Sequence, residues 1–305
     1  MIRTVEAVPA VPPAPPRPRA HAWVGARRLP WAGLLFVPGG IIILSLVFAC
    51  LILLRYSLNL WDPVRTMVPA WSAANYLAFF RQPVLGRVFL NTLRISVIVT
   101  GVCLVIGYPV AYGISRSPRR NLLVFLLIAP MLMDVLIRTY GWIVLLSQRG
   151  LVNVLMTGLG LWGAPRRLIY TDLSVILELI HELIPFMVLP IANVLERIDP
   201  ALREAAMNLR AGPARTFLFI TLPLSIPGLV AGTLLTFALA MSAFSAPLIL
   251  GGGNVMTMTM LIQQQMLTTL NWPLGAAEAV VLVLVVVAIL AVHARLVRRA
   301  AGAAA

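Results

Sequence analysis

The chain has 305 residues, of which 60% are hydrophobic and only 11% charged, against roughly 25% charged in a globular domain, so an ordinary soluble protein is excluded. Its 24 basic residues are all arginine and face 10 acidic ones, a net charge of +14. Without lysine the chain has no Walker A loop, no kinase strand lysine and no Schiff-base amine, and a chain this apolar is not a nucleic-acid binder.

Residues 1–30 form a Pro/Arg-rich tail whose stretch 9–18 reads PAVPPAPPRP, a composition that stays extended or disordered. The apolar run that follows is too long for a signal peptide and lacks a small-residue cleavage site, so it reads as an anchor. Runs long enough to cross a bilayer, about 17–25 residues each, cover about 31–54, 88–114, 121–146, 173–195, 224–250 and 276–294. The sequence thus predicts an all-α polytopic membrane protein with a six-span domain over 31–299 and a short tail over 300–305. Cys50 and Cys103 lie in apolar runs and read as buried structural cysteines, too few for a disulfide framework or a zinc site. No bound metal or cofactor is expected.

Arginine sets the orientation. With the N-terminal tail inside, the inner segments hold 15 arginines, the outer segments 7, and Arg94 and Arg138 fall within spans. The outer segment 251–275 has no charge. This bias predicts that both termini are cytoplasmic. Pro38, Pro109, Pro130, Pro185, Pro190 and Pro247 recur within the spans, where each removes a backbone donor and tends to kink its helix.

The inner segment 196–223 reads ERIDPALREAAMNLRAGPARTFLFITLP. Asp199 and Pro200 are a helix-start pair, N-cap and first helical residue. A short helix over 201–209 carries Glu204, Ala205 and Ala206. Gly212 and Pro213 stop it and start another. Two short helices with small residues on one face make a projecting knob that a partner's groove can accept.

Charge within a span costs about 2.5–3.5 kcal/mol on insertion scales, so each case needs a reason. Glu178, His181 and Glu182 share one helical face. With Asp134 they form a candidate passage that attracts a cationic amine; the alternative is a structural ion pair. Asp134 and Arg138 are four apart and can pair with each other. Glu278 is expected near enough to the outer boundary to be wetted, and Arg94 to snorkel outward. Trp272, with Gln263, Gln264 and Gln265, is a candidate solute or partner contact in the last outer loop; the alternative is an interfacial tryptophan.

The knob segment resembles the EAA motif of bacterial ABC-importer permeases, with Glu204, Ala205, Ala206, Ile220, Leu222 and Pro223 in register. Arg210 occupies that motif's glycine position, and Gly212 is expected to take over the turn. Asn91–Arg94, Gly107–Tyr112, Ile137–Trp142, Leu183–Pro190, Glu196–Pro200, Leu261–Gln265 and Asn271–Pro273 are similar to the spermidine/putrescine permease branch, PotB-like type. The resemblance implies a MetI-like permease fold in a bacterial inner membrane and a translocation subunit without its own ATPase site. It implies a second permease subunit (PotC-like), two ATP-binding subunits (PotA-like) that hold ATP and magnesium and seat the knob, and an extracytoplasmic solute-binding protein (PotD-like). The solute would be a polyamine; an opine, another amine, a phosphonate or a metal complex would use the same machinery. The residues speak against two other classes. A stand-alone secondary transporter would use the intramembrane acids for proton coupling but has no use for the knob. A membrane-embedded enzyme needs a nucleophile–base or metal-ligand arrangement, which His21, His181 and His293 do not supply.

Overall fold

The computed structural model describes residues 36–303, with side chains from 37 to 295. The tail expected over 1–30, with its five arginines and His21, lies outside these residues, as do the side chains of Arg298 and Arg299. The described chain is helical, and its β content is one isolated bridge between Leu60 and Val68.

The first helix, α1, covers Phe36–Ser57 and crosses the boundary between two compact units, Met1–Cys50 and Leu51–Ala305. Its apolar side chains, such as Ile42, Leu44 and Phe48, are exposed. Cys50 is exposed and Cys103 buried, so the expectation of a buried cysteine is met only at 103; Cys50 falls on this exposed surface.

In the second unit, the helices α2 (Ala74–Arg81) and α3 (Pro83–Arg116) are followed by α4 (Arg120–Ile128) and α5 (Val135–Leu146). Then come α6 (Leu151–Gly158), α7 (Asp172–Glu196) and α8 (Pro200–Asn208). A four-residue helix, Pro213–Thr216, passes through a π-helical turn, Phe217–Thr221, into Leu222–Met241. These form one span, α9 (Pro213–Met241). Finally α10 (Ser245–Leu250), α11 (Met258–Gln263) and α12 (Trp272–Ala303) complete the chain; α12 enters the stretch set apart as a C-terminal tail.

Five helices are long and apolar enough to cross a membrane, and a sixth crossing requires a pair bent by 92°, Arg120–Leu132 with Val135–Gly158. The third span expected over 121–146 is thus a broken one, and the break falls just after the proline expected to kink it. Pro130 lies in a 3-10 turn, Ala129–Leu132, where its missing donor is tolerated. Asp134 then restarts the helix as N-cap, accepting the Leu136 N–H at 2.8 Å.

The fifth span is also shifted: it begins at Pro213 and ends at Met241, not 224–250. Pro247 accounts for its end. A continuous helix would need an N–H at 247 for the carbonyl of Ala243, and proline has none. That carbonyl instead accepts the Thr259 hydroxyl at 2.7 Å, and the helix restarts at Ser245 with Pro247 in its first turn.

The core of this unit is α3, α7 and α9. Val99 and Cys103 of α3 pack against Val175, Leu179, Met187 and Ile191 of α7. Small residues set the approach of α9: a Cβ at Gly232 would sit 2.8 Å from the Met187 carbonyl oxygen, and one at Gly228 2.9 Å from that of Pro190. Helix pairs in lipid gain stability from such close backbone contact. Helix α7 runs unbroken through Pro185 and Pro190 and is tied at both ends, by Asp172 to Arg94 and by Glu196 to Arg120.

Candidate functional site

The knob forms as its sequence dictates. Asp199 caps α8 by accepting the Ala201 N–H at 2.9 Å, with Pro200 at the first helical position. Ala206 is buried, while Glu204 and Ala205 are exposed. Leu202, Met207 and Leu209 are exposed as well, so the projecting surface is more apolar than its charge pattern suggested.

Arg210 holds the turn itself, at φ +60°. Gly212 lies in the extended region at φ −65°, so the expectation that it takes over the turn is corrected. The Ala211 N–H donates to the Ala206 carbonyl at 3.0 Å and the Arg210 N–H to that of Met207 at 2.9 Å. This is a complete Schellman closure, and it needs its left-handed residue at 210, not 212.

Ile220 lies in the π-helical turn, and Leu222 and Pro223 begin the regular part of α9. Pro223 cannot donate to the carbonyl four residues back, and the Leu222 N–H reaches five back, to Phe217; the extra residue is the π-bulge. The Phe217 ring meets Tyr108 and Tyr112 of α3 edge-on, at 5.7 and 5.8 Å. The Arg116 guanidinium lies 3.9 Å over the Tyr112 ring. A cavity of about 280 Å³ sits behind the knob, bounded by Tyr112, Arg116, Arg203, Glu204 and Phe217. The knob segment is thus braced through aromatic contacts onto a core helix.

The second site lies between α5 and α7. Glu178, His181 and Glu182 do gather on one face of α7, and α5 supplies Arg138, Thr139 and Trp142. Arg138 Nη2 lies 2.8 Å from Glu182 Oε1, and its Nε lies 3.7 Å from Glu178 Oε1. The Thr139 hydroxyl lies 3.1 Å from Glu178 Oε1. Trp142 Nε1 donates to His181 Nδ1 at 3.4 Å, which leaves the proton of a neutral ring on Nε2. Thr139 and Trp142 lie in the Ile137–Trp142 stretch that resembles the permease branch, but a hydroxyl and an indole in a span do not mark a site until the acids opposite are known.

Two expectations change. Asp134 caps α5 and does not pair with Arg138, because a 3-10 turn separates it from the preceding helix and turns its carboxylate to the backbone. Glu278 is fully buried rather than wetted, and neither carboxyl oxygen has a partner among the described residues. It sits one turn inside α12, on the face whose Leu274, Ala277 and Leu282 are buried. Trp272 opens α12 and is exposed.

Glu182 and Phe186 border an open cavity of about 320 Å³ lined on the other side by the break after α9, with Ser242, Phe244 and Ser245. An acid, two aromatic rings and two hydroxyls around one space suit an alkylammonium.

Residues 103–302 match the family described as binding-protein-dependent transport system inner membrane component. The chain is 37% identical over 223 residues to the spermidine/putrescine transport system permease protein PotB of Haemophilus influenzae, covering 72% of this chain and 78% of that one. It is 38% identical over 216 residues to PotB of Escherichia coli, covering 70% and 78%. The crystal structure of a bacterial ABC transporter involved in import of the acidic polysaccharide alginate has the same fold, with a TM-score of 0.72 at 18% identity over 88% of this chain and 95% of that one. The chain belongs to the binding-protein-dependent transport permeases: it is a multi-pass inner-membrane permease subunit of an ABC importer, with the MetI-like fold.

Proposed function

We propose that the solute is a polyamine of the spermidine/putrescine class. The carrying observation is that two carboxyl groups, Glu178 and Glu182, face a single guanidinium inside the membrane domain, with Glu182 open to a cavity. A permease for a neutral solute has no need of this costly arrangement. The names of the PotB relatives point the same way.

In this reading both termini and the 196–223 loop face the cytoplasm. The exposed Glu204–Ala205 face and Leu209 seat in a groove of an ATP-binding subunit that holds ATP and magnesium. A second permease subunit completes the passage, and a solute-binding protein docks on the opposite side. Closure of the ATPase pair moves α8, and the aromatic brace to α3 passes that motion to the bundle as a rigid-body switch between two states. The lining would include Glu178, His181 and Glu182. Asp134 and Trp272 would stand along the approach, apart from the acid cluster.

The test is uptake of radiolabelled putrescine and spermidine into vesicles carrying the assembled transporter with internal ATP. E178Q/E182Q should lose polyamine uptake while still assembling with its partners; unchanged uptake would sink the assignment of the acids. E204R should release the ATP-binding subunit in a pull-down from detergent, and retention of that subunit would sink the docking assignment.

A further inference from the structure

Arg138 reaches from α5 to two acids of α7, and its hold on them is incomplete. Its side chain is 6% exposed and that of Glu178 fully buried, a setting in which an arginine is normally locked into aligned, bidentate bonds. Here Nη2 is within 2.8 Å of Glu182, yet neither Nε nor Nη2 makes a directed hydrogen bond. The contact is one of charge without alignment. Glu178 is also under-supplied: its Oε2 has no donor. The one proton of Thr139 has a nearer acceptor, the Val135 carbonyl at 2.8 Å.

Access is unequal. Glu182 is 29% exposed and borders the cavity that holds Ser242, Phe244 and Ser245; Glu178 is sealed. A cation entering the cavity therefore meets Glu182 first, where Arg138 lies close, at 2.8 Å, but makes no directed hydrogen bond.

We infer that Arg138 is the resident cation of an exchange site: it occupies Glu182 while the cavity is empty and surrenders that carboxylate to an alkylammonium solute, remaining beside Glu178 as the solute passes. The inference rests on the reading of the solute as a polyamine and adds a specificity-determining residue to it. A neutral molecule cannot displace a guanidinium from a carboxylate, so Arg138 keeps the passage closed to neutral solutes. Retreat toward Glu178, already 3.7 Å away, needs a side-chain rearrangement and no movement of a helix.

The experiment is equilibrium binding of radiolabelled putrescine to the assembled permease–ATPase complex in nanodiscs, without nucleotide or binding protein. With the competing cation removed, R138Q should bind about tenfold tighter, the scale of one displaced charge contact. R138K should behave as wild type, and the gain should vanish in R138Q/E182Q. An assembled R138Q complex that binds no tighter, or a gain that survives E182Q, overturns the exchange and leaves a fixed structural pair. If R138Q does not assemble, E178Q decides: without the carboxylate to which it retreats, Arg138 should hold Glu182 and putrescine binding should weaken about tenfold, although Glu178 is sealed from the cavity, and unchanged binding overturns the exchange. Should n-butylammonium show the R138Q gain and putrescine not bind at all, the polyamine reading fails and the exchange stands. If no cation binds to any form, the exchange fails.

Discussion

The Ala211 N–H closes onto the Ala206 carbonyl at 3.0 Å, and Arg210 between them is held at φ +60°. A residue with a Cβ pays roughly 1–2 kcal/mol for that conformation, and a glycine does not. The closure therefore depends on its hydrogen bonds, with the ring of donors and acceptors complete and the left-handed residue strained. R210G should stabilise the knob, by about 1 kcal/mol less its greater unfolded-state freedom. R210V should destabilise it by more, since a β-branched residue fits the left-handed region worst. Hydrogen exchange of the Arg203–Ala211 amides in the assembled and isolated subunit measures both, and slower exchange in R210V would contradict the argument.

The same residue shows where sequence reading ends. The helix start at Asp199–Pro200 was legible because both cap signals act on neighbouring backbone groups. The turn at 210 was misassigned to Gly212, because composition favours glycine there, while the hydrogen-bond register of a Schellman closure fixes the left-handed position by counting from the helix end. Glu178 and Glu182 were legible as a pair from their spacing. Their partner was not, since the 92° break that makes Asp134 an N-cap and the packing of Arg138 against α7 are tertiary properties.

Gly232 packs against the Met187 backbone, where an added Cβ would stand 2.8 Å from the carbonyl oxygen. Backbone in a buried helix cannot retreat as a flexible side chain does, so G232A should push α9 from α7 at a cost of about 1–3 kcal/mol. Gly101 of α3 is the control: nothing lies within 4 Å of its would-be Cβ, and G101A should be neutral or slightly stabilising. Thermal unfolding in detergent separates the two variants; equal midpoints would show that close approach at 232 does not matter.

Asp62, outside the spans, accepts the N–H groups of Arg65 and Val64, each at 2.9 Å, and these bonds, Arg65 first, hold its carboxyl below the ordinary range. A depressed acid stabilises its turn above the unfolded pKa and loses that contribution as pH falls through the folded one. The Val64 and Arg65 amides should therefore be protected at neutral pH and lose protection below about pH 4. D62N should show weaker protection with no acid-dependent step. A step at the same pH in D62N would assign the titration to another group.

Thr259 closes the gap that Pro247 opens. Its hydroxyl donates to the Ala243 carbonyl at 2.7 Å, the one backbone acceptor that the proline cannot serve. T259V keeps the shape and removes the donor, leaving a partly buried carbonyl unpaired at a cost of about 1–3 kcal/mol. T259S keeps the hydroxyl and should recover most of that stability. The effect should extend to function, because the break from 242 to 244 forms the wall of the cavity facing Glu182. If Ala243 is released, Ser242 and Phe244 lose their fixed positions and cation binding should weaken along with stability. P247A/T259V should restore stability, since an alanine N–H at 247 can reach the freed carbonyl, but should straighten α9 into α10 and so leave cation binding impaired. Recovery of both together would show that the cavity does not depend on the break.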